Sequence, residues 1–168
     1  MTQSPAKRHP WTFLPGTSPA DAVYGAIVSA ATIGAVGLHV ETIGRLCAVW
    51  AFVVWTYWMA HVYVHVVSHH LAGQMSSVGR RLRDALRGEF GVVLGALPGL
   101  VVVLLVGLFD GEPATAASTT LLVTVVLLFG LGYFGARRLG AGLALAVGEG
   151  LLASSLGVVM IAAKALLH

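Results

Sequence analysis

Three histidines recur every fourth residue within one apolar stretch, LCAVWAFVVWTYWMAHVYVHVVSHH (46–70). They are His61, His65 and His69, and Tyr57 extends the row by one turn. On a helix, residues four apart lie about 40° apart around the axis, so these side chains form one slowly rotating stripe. Imidazole is a good ligand for zinc, iron, copper and nickel. It also exchanges protons near neutral pH. A polar stripe in an otherwise apolar segment should face the protein interior or a water-filled path, because lipid offers no hydrogen-bond partner. Three readings of the stripe stay open: histidines that only satisfy structural hydrogen bonds, a metal or proton site, and haem or quinone ligation. His69 and His70 fall near the end of the segment, where a histidine is ordinary.

Glu149, in AVGEGLL (146–152), is the second signal. A carboxylate inside a membrane marks a functional site by default and needs a partner. At about 1.5 Å per residue it lies about 12 Å from the cytoplasmic end of its segment. His61 lies at a similar depth in its own, so His61 or His65 is the expected partner. The metal-ligand set read from spacing is therefore His61, His65, His69 and Glu149, with Tyr57 beside them or on a proton path. Asp21 either caps a helix or joins that path. His39, Glu41 and Arg45 read as a solvated turn cluster. There is no nucleophile elbow, phosphate loop or dinucleotide fingerprint, and His61 is not followed by the glutamate of an HExxH site. Classical soluble-enzyme catalysis has no support, so the chain reads as a transporter or membrane binding protein.

The elements that position these residues follow from composition. The chain has 168 residues, 57% of them hydrophobic and only 10% charged. Its mean hydropathy is +0.86. A soluble domain carries about 25% charged residues. The surface of so apolar a soluble fold could not be kept polar. An ordinary cytoplasmic domain, a disordered chain and a nucleic-acid binder are excluded, the last despite a pI near 9.4. Cys47 is the only cysteine, which rules out an internal disulfide and multi-cysteine metal sites.

The fold class expected is all-α: a polytopic membrane helix bundle with about five transmembrane helices and a short amphipathic cytoplasmic helix. A spanning helix needs about 20 apolar residues. Segments near 21–40, 43–68, 90–109, 116–136 and 141–167 meet that length. Residues 1–20 read as a cytoplasmic tail with Trp11 and Phe13 as interface anchors, a cleaved signal peptide being the rival reading. Residues 21–168 read as one transmembrane domain. Lys7, Arg8, the arginines of the 69–89 loop, Arg137 and Arg138 fall on one side, so the amino terminus is expected in the cytoplasm and the carboxyl terminus outside. A bacterial-type plasma membrane is the expected host.

In SSVGRRLRDALRGEF (76–90), Val78, Leu82, Leu86 and Phe90 recur at helical spacing between Arg80, Arg81, Arg83 and Arg87. The pattern predicts a surface helix held by anionic lipid headgroups, with a regulatory or partner-binding role as the alternative. Trp55 and Trp58, away from the interfaces, are expected to pack against other helices. Gly91, Gly95 and Gly99, together with Gly34, Ala30, Ala153 and Gly157, allow close helix approach, within the chain or between copies.

The order of spans and loops, with DAVYGAIVSA (21–30), GALPGL (95–100), LFGLGYFGARRLG (128–140) and AVGEGLLASSLG (146–157), resembles the vacuolar iron transporter family. The likeness covers most of the membrane region. It implies a homodimer that carries divalent iron or manganese out of the cytoplasm, often against protons. By position it carries over only Asp21 and Met59. The chain departs from the family where Ile27 and Val28 stand in place of an acidic residue. It departs again where the family's long glutamate-rich insertion is short and basic here. The function expected is binding or transport of a divalent transition metal (iron, manganese or zinc) through a His/Glu site within the membrane. The alternatives are a haem- or quinone-binding membrane protein and a non-catalytic scaffold or accessory subunit.

Overall fold

A computed structural model describes residues 19–71 and 78–166. The tail carrying Lys7, Arg8, Trp11 and Phe13 lies outside the described residues. Six helices and no strand occur among those described: α1 (Pro19–Val36), α2 (Ile43–Leu71), α3 (Val78–Gly88), α4 (Phe90–Leu108), α5 (Pro113–Arg138) and α6 (Leu143–Leu166). The expected membrane helix bundle and the short amphipathic helix are both present.

Four segments are long and apolar enough to cross a bilayer by length and composition: Ile43–Ser68, Leu82–Leu108 (α4 together with the end of α3), Pro113–Arg138 and Leu143–Ala162. The first expected span is shorter than read from the sequence. α1 has 18 residues and stops at Val36, so it is about 27 Å long against a hydrocarbon core of about 30 Å. Its last turn closes through Gly37 N–H to the Ile33 carbonyl (2.9 Å). Asp21 lies within the first turn of α1 and is not its cap. A carboxylate there still faces the positive end of the helix dipole.

The other boundaries have local causes. Pro113 opens α5, where a missing N–H costs nothing. Arg137 and Arg138 sit in its last turn, against the negative end of the dipole. Gly140 follows with φ +84°, a conformation that suits glycine. At the α1–α2 turn, Glu41 and Arg45 form an exposed pair at 4.0 Å, the solvated cluster expected there.

The bundle is built on close contact between α1 and α4 and on the α5–α6 hairpin, with α1 also against α5 and α2 against both α4 and α1. Glycine makes the α1–α4 contact possible. A Cβ on Gly25 would collide with the Val92 carbonyl, and one on Gly95 would collide with the Ala22 carbonyl. Gly99 leaves room for Ser29. The α5–α6 seam repeats the device, with Gly132 against the backbone of Glu149 and Gly157 against Val125. These glycines therefore serve seams within the chain. The core beside them gathers Ile33, Leu46, Trp50, Val54, Ala96, Val103, Ala116 and Ala117.

One hydroxyl joins three helices. Trp50 Nε1 donates to Ser29 Oγ (2.7 Å). Ser29 Oγ donates to the Ala96 carbonyl (3.0 Å). Ser29 is fully buried, so both groups find inside the chain what lipid cannot offer. Of the two tryptophans expected to pack internally, Trp58 does so, edge-on to Phe90 with ring centroids 6.4 Å apart. Trp55 does not. It is 57% exposed, because it lies on the outer face of α2.

Adding a methyl at Gly95 must push α1 off α4, so Gly95→Ala should destabilise the bundle by about 1–3 kcal/mol. Gly148 has open space around it, and Gly148→Ala should leave stability unchanged. Thermal unfolding in detergent, followed by circular dichroism, checks both.

Candidate functional site

The inward face of α2 begins as packing and ends as chemistry. Leu46, Trp50 and Val54 are buried on it, and His61 and His65 continue the same face one and two turns beyond Tyr57. Both imidazoles meet one carboxylate. His61 Nδ1 lies 3.3 Å from Oε2 of Glu89, and His65 Nδ1 lies 3.0 Å from Oε1 of the same carboxylate. The Glu89 side chain is 14% exposed and the two imidazoles 32% and 37%.

Glu89 is held there by two helices. It is the single residue between α3 and α4. Its N–H donates to the Ala85 carbonyl (2.9 Å), completing the last turn of α3. Its carbonyl accepts from Val92 N–H (3.2 Å), starting α4. The φ and ψ of −82° and 0° permit both. Trp58 against Phe90 locks α2 to the first residue of α4. The Tyr57 ring lies 4.7 Å from the His61 ring at 47° and flanks it on the inner side of the stripe. Trp58 Nε1 is buried without a hydrogen-bond partner among the described residues.

A carboxylate oxygen accepts from an imidazole N–H, so in the neutral form of each ring Nδ1 carries the hydrogen and Nε2 the lone pair. The cluster can thus take up protons at two nitrogens. It can also offer those nitrogens to a cation, with a carboxylate behind them that fixes the orientation of the rings. Among the described residues, no group of three or more histidine, cysteine, aspartate or glutamate side chains is already arranged to hold a metal ion.

The residues expected from sequence are brought together only in part. His61, His65 and Tyr57 share one site. Glu149 is elsewhere: it is exposed on α6, a helix packed on α5 and α1. It makes no hydrogen bond or ion pair among the described residues. The expected pairing of Glu149 with His61 or His65 is replaced by Glu89, because two residues at equal depth need not be on neighbouring helices. Asp21 is half-buried in the first turn of α1. The neighbouring Ala22 carbonyl is packed against Gly95, which places Asp21 toward the same end of the bundle as Glu89. Met59 is 38% exposed and lies off the stripe. Arg83 and Arg87 are exposed on α3. His69, Arg80 and Arg81 lie on helices, but their side chains are outside the described residues.

Glu89 was missed by sequence reasoning. A signal existed: it is the acidic residue immediately before the apolar run that starts at Phe90. Comparison with known protein families, curated proteins and solved structures finds no match.

Replacing Glu89 by alanine removes the acceptor for two imidazoles. In Glu89→Ala, the nitrogen-15 signals of both His61 and His65 Nδ1 should lose their hydrogen-bonded character. In Glu149→Gln both should stay as in the parent protein. Histidine-labelled nuclear magnetic resonance reads the difference.

Proposed function

We propose that this integral membrane protein binds and moves a divalent transition metal, with His61 and His65 as ligands and Glu89 as the carboxylate that orients them. The observation that carries the reading is one carboxylate shared by two imidazoles one helical turn apart, inside an apolar bundle. Ionisable groups within a membrane span are costly and are kept where cations or protons pass. Iron, manganese and zinc fit the donor set, with imidazole favouring zinc and iron. The likeness of the spans to vacuolar iron transporters supports the same class of cargo, and it adds a homodimer to the reading. Glu149, which faces outward in the single chain, is the carboxylate that a second copy would cover. The amino terminus is read as cytoplasmic from the arginines of α3 and of the last turn of α5, in a plasma membrane of bacterial type. α3 is read as resting on anionic headgroups.

Protons compete with the metal for imidazole nitrogen, so binding should weaken as the medium is acidified. The test is zinc, manganese and ferrous iron binding by calorimetry on the full chain in nanodiscs, paired with uptake into proteoliposomes. His61→Ala and His65→Ala should each abolish uptake. Glu89→Gln should lower affinity by about 10- to 100-fold, the usual cost of losing a group that orients a ligand. Glu149→Gln should leave affinity unchanged. Parent-like binding in all three site variants would remove the cluster from the function.

A further inference from the structure

The carboxylate that holds both histidines is also the joint between the surface helix and the membrane. Its N–H closes the last turn of α3 on Ala85, and its carbonyl opens the first turn of α4 at Val92. α4 is fixed by its glycine contact with α1. α3 packs on α2 and α4, and Ala85 is its fully buried residue among those described. If α3 lifts away, the turn that contains Glu89 unwinds and the carboxylate leaves Nδ1 of His61 and His65.

The outer side of α3 says what holds it down. Four arginines and one aspartate, Asp84, lie within its 11 residues. The side chains of Arg83, Arg87 and Asp84 are exposed. Leu82 is 43% exposed beside them, and Phe90, at the junction, is 39% exposed. Because α3 connects directly to the membrane-spanning run, the nearest surface to this basic and apolar face is the bilayer itself. A net positive helix with exposed apolar side chains at a membrane edge fits anionic headgroups.

We infer that α3 senses anionic lipid and transmits it to the site: headgroups bound by Arg83 and Arg87 keep α3 seated, and a seated α3 keeps Glu89 between His61 and His65. This is regulation of the cation site proposed above and rests on that reading for its functional meaning, though not for its structural test. A lipid can shift this equilibrium only by its differential affinity for the seated helix. Each arginine at an anionic surface contributes about a fivefold bias.

The test uses the full chain in nanodiscs of phosphatidylcholine alone and of phosphatidylcholine with phosphatidylglycerol, with nitrogen-15 histidine spectra as the readout. The ratio of hydrogen-bonded to free Nδ1 signal for His61 and His65 should be higher with phosphatidylglycerol. Arg83→Gln and Arg87→Gln should each lower that ratio by about fivefold in phosphatidylglycerol discs. Arg83→Lys, which keeps the charge, should retain the response. Identical spectra in the two lipids, or loss of the response in Arg83→Lys, would overturn the inference. Zinc titration on the same discs separates the two readings. Lipid-dependent spectra without zinc binding in either lipid would remove the metal and leave the lipid coupling standing. Zinc binding with lipid-independent spectra would do the reverse.

Discussion

Between helices in a bilayer there is little hydrophobic driving force, because lipid tails are as apolar as leucine. Association depends on how closely backbones can approach. In this chain that constraint is met at Gly25 and Gly95, where each helix meets the other's backbone carbonyl. The rest follows from it. The depth of α1 against α4 sets where Ser29 meets Trp50 and Ala96. It also sets where α4 begins, and therefore where Glu89 stands relative to α2.

The helices were legible in the sequence because apolar runs of bilayer length have few other fates. Spans expected near 43–68 and 90–109 are observed at Ile43–Leu71 and Phe90–Leu108. The amphipathic helix was legible from Leu82 and Leu86 among arginines. The end of α1 was not, since Gly37, Leu38 and Val40 continue the apolar composition past the turn. The histidine stripe was legible from its period, which predicts a shared face. Its partner was not. Depth along a helix can be counted from a sequence, but the identity of the neighbouring helix is decided by tertiary packing. That is why Glu149, and not Glu89, is the carboxylate the sequence points to. Trp55 and Trp58 differ in the same way: composition places both deep, and only the rotation of α2 puts one on Phe90 and the other outward.

The shared carboxylate creates an arrangement that neither histidine would have alone. A single acceptor group serves two donors, so each imidazole's position depends on the other through Glu89. Removing a proton or adding a cation at one nitrogen changes the charge seen by the second.

The Ser29 oxygen bears on movement. It accepts from α2 and donates to α4 while belonging to α1, so three helices meet at one atom. Sliding any of them by a turn would break a bond that lipid cannot replace. Tilting about that atom breaks neither. Relative movement of α1, α2 and α4 that keeps both bonds is therefore confined to tilting about Ser29.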